Sequence, residues 1–511
     1  MPTASRYGLM LDTTGLRKER TISMKKNNRF CNFTYNCILC SLILCILILS
    51  GCSQTAEPSD QEKMTNTPTE SASTASASQA EPKAPKIEIP EGRTPVVIEV
   101  WSAGYNLEEA VVNFNKENTD YWAYVIDYSE DARGDSGSPE GKAARQRVQL
   151  ELTTGNNCPD LIELNTSLLP VYELASEGYL EDLNPYLDNS AVLDREELME
   201  FVIDAYTMED KLMALPLYFT LSYFTARQSQ VQQFETWTLQ DMLDYAREYP
   251  DALLLEHNSL YYHLSLLSLY EEPFVTVENG KYTVNREQIE EFLLIINRHN
   301  EIELPELSYT PDLFLSNHIL LRETWMSGDF DSPQYDRALM EGDVAYIGYP
   351  SEDGRNIKLS GYYTYGIPLH ATQKEGAWAF LEYYIQSAGE HGGLFPVKKA
   401  DYEKFKETEL THEGFAPDEN GVLVDSSGHA QQMRSWNDWT YCYREITQED
   451  IEIMEEMFTR AGHPFMGIGY TASWMEIFND EVPAYLNGDK SLSATVDIIV
   501  SRYQLFINER H

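Results

Sequence analysis

Cysteine is scarce where a folded domain would need it. Of the seven in 511 residues, Cys31, Cys37, Cys40, Cys45 and Cys52 fall near the start, leaving only Cys158 and Cys442 for the rest. Two thiols so far apart in sequence are no disulfide framework, and neither has a C-x-x-C or Cys/His spacing, so separate buried thiols and no metal site are expected. Basic residues are also in short supply: 38 Lys and Arg against 82 Asp and Glu, a formal charge of −44. Such a surface repels phosphate backbones and anionic headgroups, which argues against a nucleic-acid partner. Catalytic fingerprints are missing too. No G-x-S-x-G, H-E-x-x-H, phosphate-binding or dinucleotide-binding loop occurs, and the ten His residues show no ligand spacing. DFDSPQYD places Asp329, Asp331 and Asp336 near one another but lacks the central Gly and closing Glu of a calcium loop. With so many carboxylates, acid/base pairs in sequence carry no specificity for a glycosidase. The expectation is a protein that is not an enzyme and has no cofactor and no metal.

Long apolar runs are absent except one. Ile38 to Ser50 is almost wholly apolar, follows Lys25, Lys26 and Arg29, and ends in Leu49-Ser50-Gly51-Cys52. As a helix it would reach only about 20 Å, short of a ~30 Å hydrocarbon core. The order basic, apolar, small is that of a secretory signal peptide; a short membrane span and an ordinary cleaved signal are the competing readings. A cysteine directly after Leu-Ser-Gly resembles the lipobox of bacterial lipoproteins. That resemblance implies cleavage before Cys52 and acylation of its sulfur, with palmitate or a similar chain, on the extracytoplasmic face of the cell membrane. Asp12 and Glu19 interrupt the basic residues upstream, so Met24 is the expected start. Residues 1–51 carry seven basic and two acidic side chains, so the remainder stands near −49. Residues 52–93 are dominated by Ser, Thr, Ala, Pro and Glu and bury too little to offset ordering entropy. They are expected to be a flexible tether with an r.m.s. reach of about 35 Å.

Beyond the tether the pattern alternates. PVVIEVWS (95–102), WAYVIDYS (122–129) and PDLIELN (159–165) read as strands. LEEAVVNFNKEN between them reads as a helix with Leu107, Val111 and Phe114 on one face and Asn106 as its cap; a second helix carries Ala144, Val148 and Leu152 and ends at Gly155. Such alternation predicts an α/β fold with a parallel sheet. Ligands of these sheets sit outside the carboxyl ends of the strands, which points to Trp101, Ser102, Tyr105 and Asn165. Later, Ala377, Phe380, Leu381 and Tyr384, and then Leu492, Val496, Ile499, Tyr503 and Phe506, form one-sided helical stripes. Residues 251–327 read as mixed helices and loops. Asp160 is expected to bond nearby backbone amides, and Glu352 and Asp353 to form a solvated turn.

WSAGYNLEEAVVNFNKEN, LELTTGNNCPDLIELN, LASEGYLEDLNPYLD, DKLMALPLYFTLSYFTARQSQV, DVAYIGYPSEDG, KEGAWAFLEYYIQ and the helical C-terminus together resemble the extracellular solute-binding proteins of ATP-driven importers, the large family 1 group related to maltose-binding protein. Order and spacing carry this resemblance rather than any single motif. It implies a type II periplasmic-binding-protein-like fold: two lobes, each a sheet flanked by helices, joined by hinge crossovers. It implies lobe 1 over 94–218 and 353–393 and lobe 2 over 219–352 and 394–511. It also implies a monomer that takes a small solute into an interlobe cleft and delivers it to the transmembrane subunits of an ABC permease.

Aromatic residues make up 12% of the chain, with 33 Tyr and 8 Trp. Sugar C–H faces stack on such rings while Asp, Asn, Glu and Arg bond the hydroxyl edges, so a carbohydrate is the expected ligand. The candidate ligand-binding residues are Trp101, Tyr105, Asn165, Tyr218, Trp325, Trp436 and Trp474. For any single ring, core packing is the competing role. A peptide, polyamine or other cation is the alternative ligand, and a carbohydrate-processing enzyme or a ligand-sensing partner of a membrane kinase is the alternative function.

Overall fold

The computed structural model describes residues 88–511 except 102–105, 129–138, 165–170, 256–258, 271, 303–310, 327, 329, 390, 392, 412–413, 437–438 and 465–472. The signal segment, Cys52 and the tether up to residue 87 lie outside the described residues, as do Ser102, Tyr105 and Asn165. No helix among the described residues is long and apolar enough to cross a membrane.

The chain opens with β1 (Thr94–Val100), α1 (Leu107–Glu117), β2 (Tyr121–Asp127), α2 (Pro139–Thr154) and β3 (Leu161–Glu163). β1 pairs in parallel with both β2 and β3, as alternating strands and helices require. α2 ends where Gly155 takes φ 69° and its N–H bonds Glu151, a positive φ that a side chain would strain. The cap expected at Asn106 is different: its φ is 52° and its side chain caps nothing. β4 (Leu215–Arg227) follows a short hairpin, and then come α3 (Leu239–Glu248), α4 (Arg286–Glu301), β5 (Arg322–Met326), α5 (Ser332–Leu339), β6 (Val344–Tyr346) and β7 (Ile357–Gly366). Further along are α6 (Lys374–Ser387), β8 (Phe395–Pro396), α7 (Gln448–Thr459), β9 (Ala461–Pro464), α8 (Ser473–Leu486) and α9 (Leu492–Arg510), with another helix at Lys399–Glu409 and two small hairpins between β8 and α7.

One nine-stranded sheet runs β6-β4-β7-β3-β1-β2, with β5 and β8 also on β4 and β9 on β7. It is mixed rather than parallel: β4 is antiparallel to β5, β6, β7 and β8, and β7 is antiparallel to β3. Two large apolar cores flank it. The first gathers β1, β3, α6, α7 and β4 as far as Tyr223; the second begins at Phe224 and gathers α3, α4, α8 and α9. The chain passes between them repeatedly. β4 leaves the first core, Met326 on β5 is back in it, Ala345 and Tyr349 belong to the second, and Ile357 opens the return along β7. From the segment 394–511 expected in lobe 2, Phe395, Val397, Tyr402, Phe405, Met454 and Phe458 pack in the first core, Tyr441 in a third, smaller core with Tyr335 and Leu339, and Trp474 in the second.

The first predicted stripe is buried, and the second is buried at its centre, with Leu492 and Phe506 at its ends only partly covered. Ala377, Phe380, Leu381 and Tyr384 of α6 are inaccessible or nearly so, as are Val496, Ile499 and Tyr503 of α9, each worth roughly 1.5–3 kcal/mol for a large side chain. Asp160 accepts from the backbone N–H of Val97 (3.0 Å), Thr372 (3.1 Å) and Gln373 (2.9 Å), pinning the start of α6 to β1. α6 lies so close to the sheet that a Cβ on Gly376 would fall 2.6 Å from Val96 and from Tyr121. Alanine there would gain about 1 kcal/mol of helix propensity, and overpacking costs about 1–3 kcal/mol. Gly376→Val, with more atoms to place, is expected to lower the urea midpoint clearly; an unchanged midpoint would show that helix and sheet can separate freely.

Candidate functional site at the strand crossings

β4 is apolar except at alternate positions. LPLYFTLSYFTAR puts Thr220 and Ser222 on one face, since successive side chains alternate. The antiparallel register sets Ser360 opposite Thr220, Lys358 and Trp325 opposite Ser222, and Tyr362 opposite Tyr218. Directly opposed residues share a face, so a polar and aromatic strip runs along the strands where they pass between the cores. The reverse face is sealed: a Cβ on Gly361 would meet the Tyr206 hydroxyl at 2.1 Å, and Phe219 packs there with Phe201 and Phe458.

Trp325 is the accessible member of the strip, 47% exposed, and its indole Nε1 donates to Thr220 Oγ1 at 3.1 Å. Lys358 is buried, with Nζ 4.0 Å from Glu323 Oε1 and 5.0 Å from the centre of the Tyr349 ring. Burial pulls its ammonium pKa down to about 8, partly offset by Glu323. The Tyr349 hydroxyl donates to the same Glu323 oxygen. Tyr218, at the first-core end, is buried; its hydroxyl donates to the Ala388 carbonyl at 2.7 Å and its ring meets His391 edge-on at 5.2 Å. Tyr363 beside it holds φ at 52°, an uncommon conformation for a bulky residue.

Trp101, the residue after β1, is 2% exposed and stacks on Tyr128 with centroids 5.0 Å apart. Its N–H donates to Glu163 Oε2 at 2.8 Å, and the Arg147 guanidinium lies 3.8 Å from the centre of the Tyr128 ring. Glu99 is buried next to it, and burial, with Glu151 adding to it, raises its carboxyl pKa to about 8. Trp474 opens α8 in the second core, 1% exposed and edge-on to Phe478 at 5.8 Å. The indole N–H of Trp474 is buried without a partner among the described residues, a cost that an added acceptor would remove. Trp436 pairs with Trp439 across the hairpin Gln432–Trp436/Trp439–Cys442. Of the expected residues, then, the crossings bring Tyr218 and Trp325 together, while Trp101 and Trp474 sit in separate cores. Thr220, Lys358, Ser360 and Tyr362 were not anticipated, although the alternation inside LPLYFTLSYFTAR was the available sign.

Among the described residues no group of three or more His, Cys, Asp or Glu could hold a metal ion, and Cys158 and Cys442 are free thiols. No family model matches the sequence, and no curated protein matches it. Solved structures do. The sugar-binding protein MalE from the phytopathogen Xanthomonas citri is 15% identical, the match covering 82% of this chain and 98% of that one with a TM-score of 0.45. The GacH receptor of Streptomyces glaucescens, solved unliganded and with acarbose, is 15% identical over 80% of this chain and 97% of its own, with a TM-score of 0.41. The cyclic alpha-maltosyl-1,6-maltose binding protein from Arthrobacter globiformis is 12% identical over 81% and 99%, with a TM-score of 0.43.

Proposed function

We propose that this chain is a lipid-anchored substrate-binding protein that captures a small carbohydrate on the crossing strip and delivers it to an ABC permease. One observation carries the reading: two separate cores are joined by strands that pass between them repeatedly, with an aromatic and polar face at the join. A solute held there would touch both lobes and favour the closed form by its extra affinity for it. Trp325 supplies a stacking face, while the partly exposed Ser360 and Tyr362 supply hydroxyls for the edges of a sugar ring. Acylated Cys52 and the tether would hold the lobes near the membrane, and the permease's nucleotide-binding subunits would supply the energy. The chain itself would make and break no bonds.

Titration calorimetry of the full chain against mono- and oligosaccharides tests this. At least one saccharide is expected to bind saturably, and Trp325→Ala, at an exposed position, is expected to weaken it about tenfold, or ~1.4 kcal/mol, with the melting temperature little changed. No binding across the panel, or a Trp325→Ala affinity equal to wild type, would remove the strip as the site.

A further inference from the structure

Beside the residues that follow Tyr206 lies a cavity of about 580 Å³, none of whose lining residues belongs to the strip, within the range of small-molecule sites. Its walls come from both halves: Tyr172, Met208 and Met213 on one side, Tyr270, Ser351 and Arg355 on the other. The hairpin Thr207–Met208/Lys211–Leu212 that follows Tyr206 forms part of the rim.

Two polar groups in this wall are unspent. Ser268 is 6% exposed, yet its Oγ has no partner among the described residues. Arg355 donates through Nε to Asp353 Oδ2 at 2.7 Å, and its two terminal nitrogens have no protein partner among the described residues. Asp353 is occupied, accepting also from Ser351 Oγ at 2.8 Å and from the Arg355 N–H at 3.0 Å. Arg510 adds a second guanidinium, 3.2 Å from Glu272. Glu209 and Asp353 are the opposing charges in the lining, the latter paired with Arg355. The net charge of −44 resists an approaching anion at long range, but physiological salt confines that field to about 8 Å.

We propose that this cavity binds a small carboxylate-bearing molecule with an aromatic or aliphatic body. The carboxylate accepts from the terminal nitrogens of Arg355, which present two donors in a fixed fork. Ser268 donates to it or to a hydroxyl of the ligand, and the body lies against the Tyr, Met and Leu269 surfaces. Because both halves contribute wall, an occupant biases their arrangement and so couples to whatever the strip binds; that coupling is reciprocal. The inference stands whether or not the strip takes a sugar.

The test is calorimetry on the full chain with 4-hydroxyphenylacetate and, as the uncharged control, 4-hydroxyphenylacetamide. The acid is expected to bind saturably and the amide at least tenfold more weakly. Arg355→Gln is expected to lose tenfold or more for the acid, Ser268→Ala about threefold, and Val112→Ala, at an exposed position outside both sites, nothing, with melting temperatures confirming that each variant is folded. Absence of saturable binding below 10 mM (on the order of the weakest useful fragment affinity), equal affinity for the amide, or indifference to Arg355→Gln would each overturn the proposal.

Discussion

Asp336→Ala is expected to destabilise the protein by about 3–5 kcal/mol, the usual cost of breaking a buried ion pair from one side. Asp336 is wholly buried at the point where the chain changes cores. It accepts from the Tyr223 hydroxyl at 2.9 Å, from Thr324 Oγ1 at 3.0 and 3.1 Å, and from Arg322. Tyr223 is on β4, Thr324 and Arg322 are on β5, and Asp336 is on α5, so one carboxylate ties two crossing strands to a helix. Removing it strands the Arg322 guanidinium, whose side chain is 12% exposed, and leaves two hydroxyls without their acceptor. Urea unfolding with tryptophan fluorescence measures the loss. Asp336→Asn keeps the shape and an acceptor but not the charge, and should cost less than alanine. A loss under 1 kcal/mol for Asp336→Ala would mean that the crossing is held elsewhere.

Acid is expected to destabilise the second core through two histidines. His263 and His299 are both inaccessible to solvent. The Leu254 N–H donates to His299 Nε2 at 2.5 Å, so the His299 proton is on Nδ1, which donates to His263 Nε2 at 2.8 Å. The remaining proton of His263, on Nδ1, goes to the Ser259 carbonyl at 2.9 Å. This chain satisfies both rings only when both are neutral; a further proton finds no acceptor. Burial accordingly lowers the His263 pKa to about 4 and holds His299 below its ordinary value as well, with each other's charge adding to the effect there. With the folded values depressed, the unfolded chain binds protons first. Stability is therefore full above about pH 6.5 and falls as the pH drops towards 4. At pH 4.5 each ring would account for roughly 2–3 kcal/mol. Carboxylates such as Asp450, whose pKa hydrogen bonds from Gln334 and Thr447 depress despite partial burial, also lose stability in acid, so the informative quantity is a difference of slopes. Urea midpoints between pH 7 and 4.5 should fall less steeply for the His263→Leu/His299→Leu double variant than for wild type. The variant leaves the Leu254 N–H unpaired at every pH, which shifts its curve without changing its slope. Parallel curves would show that the pair does not titrate in this window.

Local pattern predicted what depends on local pattern. The stripes of α6 and α9, the strands β1 to β3 and the turn at Gly155 follow from residues within one or two turns of each other. The hairpin Val275–Glu278/Lys281–Val284 was equally legible, since Asn279-Gly280 sits between alternating residues and both take positive φ, the hairpin preference; reading 251–327 as helices and loops passed over it. Asn106 was misjudged because cap propensity does not reveal a left-handed backbone. At the site, Tyr218 and Trp325 were recognisable as an aromatic beside a Leu-Pro strand and a Trp near a loop. Lys358 was not, because a lysine in sequence gives no sign that three strands will bury it.

By itself the sequence determined the alternation of strands and helices, the faces each must bury, the scarcity of cysteine and the acidic charge, because these depend on composition and on periods of two and 3.6 residues. Only the tertiary structure decided that β4 lies antiparallel to four other strands, that Phe395, Tyr402, Met454 and Phe458 pack with the first core, and that Thr220, Trp325, Lys358 and Tyr362 share a face. Those outcomes depend on pairing between segments tens to hundreds of residues apart, where register and burial are set by which surfaces meet and not by the order of residues along either one.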